Sequence, residues 1–412
     1  MKSLLQRFTS KLISKGDLTI TWSDGTHQHL GDGSGDPVHI RFNSSSAERA
    51  IGIDPALKLP ECYMNGDLDV LEGDIYRLLH IMFTNVDADL GVDIARSTSW
   101  QRMLERTRWL RTLISRGNDV ILARRNVQHH YDLSREFYEL FLDSDRQYSC
   151  AYFESPQATL EEAQLAKKRH IAAKMALRPG QSVLDIGCGW GGMGLYLARN
   201  FDASVTGITL SEEQLAVAQQ RAIEAELSDQ AKFMLRDYRD IRSKFDRIVS
   251  VGMFEHVGLK NFDEFFAKVS HILSDDGVML LHFIGQMDEP SPTNPFVEKY
   301  IFPGGYIPAL SEVMPAIERA RLYVTDIEVL RLHYAETLRH WRERFMARRE
   351  KALSMYDERF CRMWEFYLAG SEAAFRWQGS IVFQVQLSKR VDTLPITRGY
   401  IEQEEDRLRA RQ

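Results

Sequence analysis

The run Val183-Leu184-Asp185-Ile186-Gly187-Cys188-Gly189-Trp190-Gly191-Gly192 joins an apolar stretch to a carboxylate and then to a glycine-dense turn. The residues after it, Gly192 to Asn200, have helical spacing. Strand, open turn and helix in that order build a ligand-binding loop. Glycines let the backbone bend sharply and approach a bound molecule, and the following helix directs its free amides at the same place.

Two ligands compete for this loop, because Gly187, Gly189 and Gly192 also satisfy the G-x-G-x-x-G spacing of dinucleotide sites. A dinucleotide site wants an acid on the ribose about 20 residues further on. Here the second strand ends in Gly207-Ile208-Thr209-Leu210-Ser211, without a carboxylate. Asp185 stands two residues before the first glycine, where it faces a cationic ligand better than a pyrophosphate. S-adenosylmethionine, with its sulfonium and α-ammonium groups, is the better match.

At 412 residues, with 44% hydrophobic and 27% charged residues, the chain has material for two or three globular domains. A net charge of −6 argues against a nucleic-acid binder, whose affinity comes from neutralising phosphates. No apolar run reaches the roughly 18 residues of a membrane span, and no secretory signal opens the chain, so a cytoplasmic location is expected. Cys62, Cys150, Cys188 and Cys361 are far apart and read as free thiols, with no metal site.

Residues 1–117 read as a small α+β domain, 118–134 as a linker and 135–412 as a larger domain. Met1 to Lys15 spaces Leu4, Leu5, Phe8, Leu12 and Ile13 helically among Lys2, Arg7, Lys11 and Lys15, which suits a membrane interface and a packed helix equally. Asp17 to Phe42 alternates as a strand meander would, and helical patterns begin at Ser46 and Leu71. Ser99 to Arg125 is arginine-rich, either a solvated connector or a set of guanidiniums for lipid phosphates.

In the larger domain, strands at Ser182–Ile186, Ala203–Ile208, Lys232–Leu235, Arg247–Val251 and Val278–Phe283 alternate with helices. Tyr323–Leu330 and Ile381–Leu387 complete the sheet, giving a doubly wound, mostly parallel, seven-stranded Rossmann-like methyltransferase fold. Gln286 to Leu310, rich in Pro, Gly and aromatic residues, is expected as a substrate wall. The aromatic stripe from Ala335 to Phe375 reads first as core.

Six segments in register, His130-Tyr131-Asp132, Tyr148 to Phe153, Val183 to Gly192, Gly207 to Gln214, Gly252 to His256 and Tyr300 to Gly305, give the chain its resemblance to the cyclopropane-fatty-acid and mycolic acid cyclopropane synthases. The first domain is similar to the lipid-contacting N-terminal domain of the longer bacterial members, through which they dimerise. The resemblance implies methylene transfer from S-adenosylmethionine to a cis double bond in an acyl chain of a membrane phospholipid. It also implies peripheral contact with the inner face of the membrane and a homodimer.

In the family the final proton goes to a bound bicarbonate, and the residues matching that anion site are Cys150, Glu255, His282, Ile284 and Tyr334. The Tyr334 hydroxyl, the His282 imidazole and backbone amides near Cys150 and Ile284 are donors for a small oxyanion, while Glu255 accepts its proton or orients His282. For the cofactor, the match carries Tyr148, Ser149, Gly187 and Gly189 to the methionine end, Thr209, Leu210 and Gln214 to the ribose and Asp237 to the adenine edge, with Asp185 at the cationic end.

Departures from the family pattern are Ser134-Arg135, where glycine and asparagine are common, and Ser371, where many members have cysteine. Rival readings are a phospholipid or fatty-acid C-methyltransferase, a small-molecule N-methyltransferase and a non-catalytic lipid-binding module.

Overall fold

The computed structural model describes residues 2–85, 103–104, 106–109 and 133–411. The His130-Tyr131-Asp132 motif, most of the arginine-rich segment and nearly all of the expected linker lie outside the described residues.

In the N-terminal region, α1 (Lys2–Leu12) precedes strands β1 (Leu18–Thr21), β2 (His27–Leu30) and β3 (Val38–Phe42). These strands are not the expected meander. β1 pairs antiparallel with β2 but parallel with β3, in a sheet ordered β2-β1-β3-β4. The reason lies in the glycine-rich turn: Asp32 accepts the Gly16 amide (3.0 Å) and Gly33 donates to the Gly16 carbonyl (2.9 Å). The chain is thereby carried across the start of β1 to its other side.

α2 (Ser45–Ile53) and α3 (Pro55–Asn65) follow, then β4 (Leu68–Glu72) and α4 (Ile75–Thr84). The helix expected from Leu71 therefore starts later. Leu68–Glu72 pairs antiparallel with β3, and Asp74 caps α4 by accepting the Arg77 amide (2.8 Å).

Residues 291–303 and 338–379 cluster with residues 1–115 into one compact unit, although chain order assigns them to the second domain. The helix Glu358–Trp377 explains this, since its aromatic face packs on α3 and α4. Phe366 lies 6.2 Å from Tyr63 and 5.4 Å from Phe296, ring centre to ring centre. Glu61 accepts from Lys299 (2.6 Å) and from the Tyr300 hydroxyl (2.9 Å). The late aromatic stripe, with Trp341, Phe345 and Trp364 buried, is core.

The second unit holds β5 (Ser182–Ile186), β6 (Ser204–Thr209), β7 (Ala231–Leu235), β8 (Phe245–Val251), β9 (Leu273–Gln286), β10 (Tyr323–Val329) and β11 (Ser380–Ser388). They form one sheet in the order β10-β11-β9-β8-β5-β6-β7, antiparallel only at the two β11 pairings. This is the fold of S-adenosylmethionine-dependent methyltransferases. Its crevice opens where the order reverses, between β5 and β8, outside the carboxyl ends of the strands.

The helices that position the site are α5 (Leu160–Lys174), α6 (Gly192–Phe201), α7 (Glu212–Glu224), α8 (Phe262–Ile272), α9 (Leu310–Arg319), α10 (His333–Ala347) and α11 (Gly399–Arg409). Thr159 and Glu162 form a capping box at the start of α5. Ser134 caps a single helical turn, Arg135–Tyr138, by accepting the Phe137 amide (3.3 Å). Neither Ser134 nor Arg135 has a positive φ, so the absence of glycine there requires no strained backbone.

Candidate functional site

The glycine turn after β5 forms the floor of a cleft at the carboxyl end of the sheet. Gly187 has φ +80°, and a Cβ there would sit 2.8 Å from the Met253 side chain. At Gly192 a Cβ would meet the Gln147 amide at 2.3 Å and the Asp145 carboxylate at 2.5 Å. A side chain at Gly192 would displace the Gln147 and Asp145 side-chain ends from the loop. Tyr148, Ser149, Asp185, Gly187, Gly189, Thr209, Leu210, Gln214 and Asp237 all line this cleft.

Each is held by identifiable partners. Asp143 accepts the amides of Asp145 (3.0 Å) and Gln147 (2.8 Å), which shapes the loop carrying Tyr148 and Ser149. The Tyr148 ring meets Tyr138 edge-on at 5.3 Å. The Thr209 hydroxyl donates to Gln214 Oε1 (2.9 Å) and accepts the Ser211 amide (3.1 Å), so Thr209 serves to orient Gln214. The Asp237 carboxylate is gripped at both oxygens by the Arg239 guanidinium (2.8 Å each).

Asp185 is 2% exposed, and its Oδ2 has no hydrogen-bond partner among the described residues. Burial pushes its carboxyl up to about 7, against the pull of the Lys167 ammonium and the Gly194 amide. An orphaned acceptor at the floor of a cleft fits a cationic donor group. The cleft's residues therefore fit S-adenosylmethionine: Asp185 for its ammonium, the glycine turn for close approach, and Gln214 for hydroxyls.

Lys167, which sequence reading missed, is fully buried and donates to Ser149 Oγ (2.8 Å) and Gln147 Oε1 (2.6 Å). Burial lowers its ammonium to about 8. The helix pattern gave no sign of it, since Lys167, Lys168, Arg169, His170 and Lys174 lie around several faces of α5.

The second group of expected residues lies at the ends of β8, β9 and α10. Glu255 Oε1 accepts the Ile284 amide (2.7 Å), whereas Oε2 has no partner among the described residues. Desolvation pushes the carboxyl up to about 7, the Ile284 amide opposing it. The Ile284 amide, expected to serve an anion, is thus spent on Glu255, because a buried carboxylate needs a donor. Nor does Glu255 orient His282: the imidazole's partner is Gln384, whose amide lies 3.2 Å from Nδ1.

Cys150 is buried, and desolvation raises its thiol far above the ordinary range, which disfavours the thiolate form. The neighbouring Ala151 amide donates to Thr337 Oγ1 (3.0 Å), one helical turn after Tyr334 on α10. That bond ties the Cys150 segment to the helix bearing Tyr334. The Tyr306 amide donates to the Glu255 main-chain carbonyl (2.9 Å), so the loop following Gly304 is fastened to the same residue. Cys150, Glu255, His282 and Tyr334 are all buried, and none of them lines the cofactor cleft.

Residues 119–385 match the family model described as mycolic acid cyclopropane synthetase, and residues 4–91 match a domain of unknown function. The chain is 42% identical over 265 residues to a cyclopropane-fatty-acyl-phospholipid synthase of Escherichia coli (strain K12), covering 64% of this chain and 68% of the relative. It is 35% identical over 387 residues to a tuberculostearic acid methyltransferase of Mycobacterium tuberculosis (strain ATCC 25618 / H37Rv), covering 91% and 88%. Among solved structures, a mycolic acid cyclopropane synthase complexed with SAH and CTAB superposes with a TM-score of 0.61 at 36% identity, covering 64% of this chain and 97% of that one.

Proposed function

Because this chain belongs to the mycolic acid cyclopropane synthetase family, we propose that it transfers a methylene unit from S-adenosylmethionine to the cis double bond of an unsaturated phospholipid acyl chain. The observation that carries the reading is the pair of orphaned buried carboxylate oxygens, Asp185 Oδ2 and Glu255 Oε2. One suits a cationic cofactor and the other suits a proton.

When bound, S-adenosylmethionine supplies an electrophilic methyl group. The alkene's π electrons would form a bond to that methyl as its bond to sulfur breaks, the C–S electron pair leaving with S-adenosylhomocysteine and a carbocation remaining on the acyl chain. Loss of one proton from the new methyl then lets its C–H electrons close the ring. Asp185 anchors the cofactor's ammonium, Lys167 holds Ser149 and Gln147 in place, and Gln214, oriented by Thr209, takes the ribose hydroxyls. Asp237, already clasped by Arg239, borders the adenine. Bicarbonate would supply the base, held by Glu255, His282 and Tyr334, since the Ile284 and Ala151 amides are engaged by Glu255 and Thr337; within this chain, Glu255 Oε2 is the acceptor left without a partner among the described residues.

The test is incubation of labelled S-adenosylmethionine with vesicles of unsaturated phospholipid. Ring closure adds one CH2 and consumes the alkene. A C-methyltransferase ending in an exomethylene group adds the same mass but keeps an alkene, so NMR of the product acyl chain separates the two. A relative that spans 91% of this chain is a tuberculostearic acid methyltransferase, which favours a C-methyltransferase as the second reading. A lipid-binding module would release no S-adenosylhomocysteine at all.

Membrane contact belongs to the same proposal, with a homodimer as the working form. Among the described residues no helix is long and apolar enough to cross a bilayer. Leu5, Leu12 and Ile13 are buried within the first unit, and the contacts of α1 include α2, so part of its apolar face is spent while Leu4 stays 63% exposed. Arg7, Lys11 and Lys15 remain exposed. Attraction to anionic vesicles through α1 is then electrostatic. Reversing these three charges is expected to weaken vesicle binding at low salt and to make little difference at about 1 M, where screening acts over about 3 Å. Unchanged binding in cosedimentation at low salt assigns α1 to domain packing alone.

A further inference from the structure

Gln384 on β11 stands directly opposite His282 on β9, in a central antiparallel pairing where both side chains are buried. Its amide bridges two groups. Oε1 lies 2.9 Å from the Lys174 ammonium, and Nε2 lies 3.2 Å from His282 Nδ1. Amide oxygen and nitrogen are often interchangeable in appearance, but here lysine decides between them. An ammonium has three donors and no acceptor, so the amide atom facing it is oxygen. The nitrogen, a donor, then faces Nδ1, and an Nδ1 that accepts carries no hydrogen. The imidazole's single hydrogen is on Nε2.

Lys174, whose ammonium burial lowers and Glu328 and Asp326 support, is fixed by a second tier of partners. Glu328 accepts from it directly and from His170 Nε2 (2.7 Å), and Asp326 lies 3.8 Å away. His170 is itself braced at Nδ1 by Glu405 of α11 (2.6 Å). None of Lys174, Glu328 and His170 lines the cofactor cleft. From this chain of contacts we infer that Gln384, oriented by Lys174, is a positioning residue that holds His282 as the Nε2–H tautomer, a neutral hydrogen-bond donor for the proton-handling site.

The inference rests on the reading of His282 as part of that site. Burial and the nearby cations hold His282 well below the usual imidazole range, so it stays neutral and its tautomer is a defined property. A donor at Nε2 suits a bound oxyanion, and the other tautomer would present a lone pair to it. Flipping the amide would set two donors, Lys174 and the NH2 group, against each other in a buried place.

The experiment is two-bond 1H–15N NMR on the full-length protein with ring-labelled histidine, the His282 signal being assigned by its loss in His282→Asn. The expected wild-type result is hydrogen on Nε2. Gln384→Glu, whose carboxylate only accepts, is expected to move it to Nδ1. Turnover should then fall about tenfold, the low end of what an outer hydrogen-bond partner of an imidazole contributes, with KM for S-adenosylmethionine unchanged. Hydrogen on Nδ1 in the wild type, or on Nε2 still in Gln384→Glu, overturns the inference; the wild-type spectrum decides even if the variant does not fold. A tautomer switch with full turnover overturns instead the role of His282 in the reaction.

Discussion

Glu255→Gln is expected to lower kcat at saturating S-adenosylmethionine on the order of 10²-fold, the contribution of a positioned acid or base, with cofactor affinity unchanged. Glutamine keeps an oxygen for the Ile284 amide, so the local fold survives, yet it cannot take a proton at the position of Oε2. The pH dependence separates this from a structural effect. Glu255 is raised to about 7 by desolvation, and its ionised form is the acceptor, so wild-type kcat should rise through about pH 7. In Glu255→Gln that limb disappears and the remaining rate is flat across the interval. A variant with full kcat, or with the same pH limb, removes Glu255 from proton handling.

How far this site was legible in the sequence depends on whether burial leaves a local mark. The Val183–Gly192 run declares its conformation, because an apolar strand ending in Asp185 and broken by glycines folds as a strand and an open turn in any context. The cleft's other residues stand at the ends of β5, β6, β7 and β8 and on the 146–149 loop before α5, where topology alone brings them together. Lys167, Lys174 and Gln384 carry no such mark. A lysine in a helix and a glutamine in a strand look solvated until the sheet order places β11 beside β9 and lays α5 over them. The parallel pairing of β1 with β3 was hidden for a similar reason, since it is imposed by the Asp32 turn and not by alternation. Chain order also misplaced 338–379, whose aromatic face finds its partner in α3 and α4, about three hundred residues earlier.

Asp185→Asn is expected to weaken S-adenosylmethionine binding by about 2–5 kcal/mol, the cost of removing one partner of a buried, hydrogen-bonded charge pair, or on the order of 10²-fold in Kd by calorimetry. The same substitution should stabilise the ligand-free protein at pH 8. Asp185 is raised to about 7 in the fold, against 3.8 ordinarily, so between those values the folded chain holds a proton that the unfolded chain has lost. Stability from this group is therefore full below about pH 4, falls as pH rises and levels off above about 7. Asparagine carries no such charge, and its advantage in melting temperature over the wild type at pH 8 should shrink as pH falls and be gone by about pH 4. Saturating S-adenosylmethionine should reverse the order at pH 8, because only the carboxylate gains a cationic partner. Wild-type affinity should likewise weaken as pH drops below about 7 and Asp185 takes up its proton, a trend the asparagine variant lacks. Equal Kd values for the two proteins at pH 8 would show that the buried oxygen serves the loop and not the ligand, and would remove the electrostatic basis for placing a sulfonium donor in this cleft.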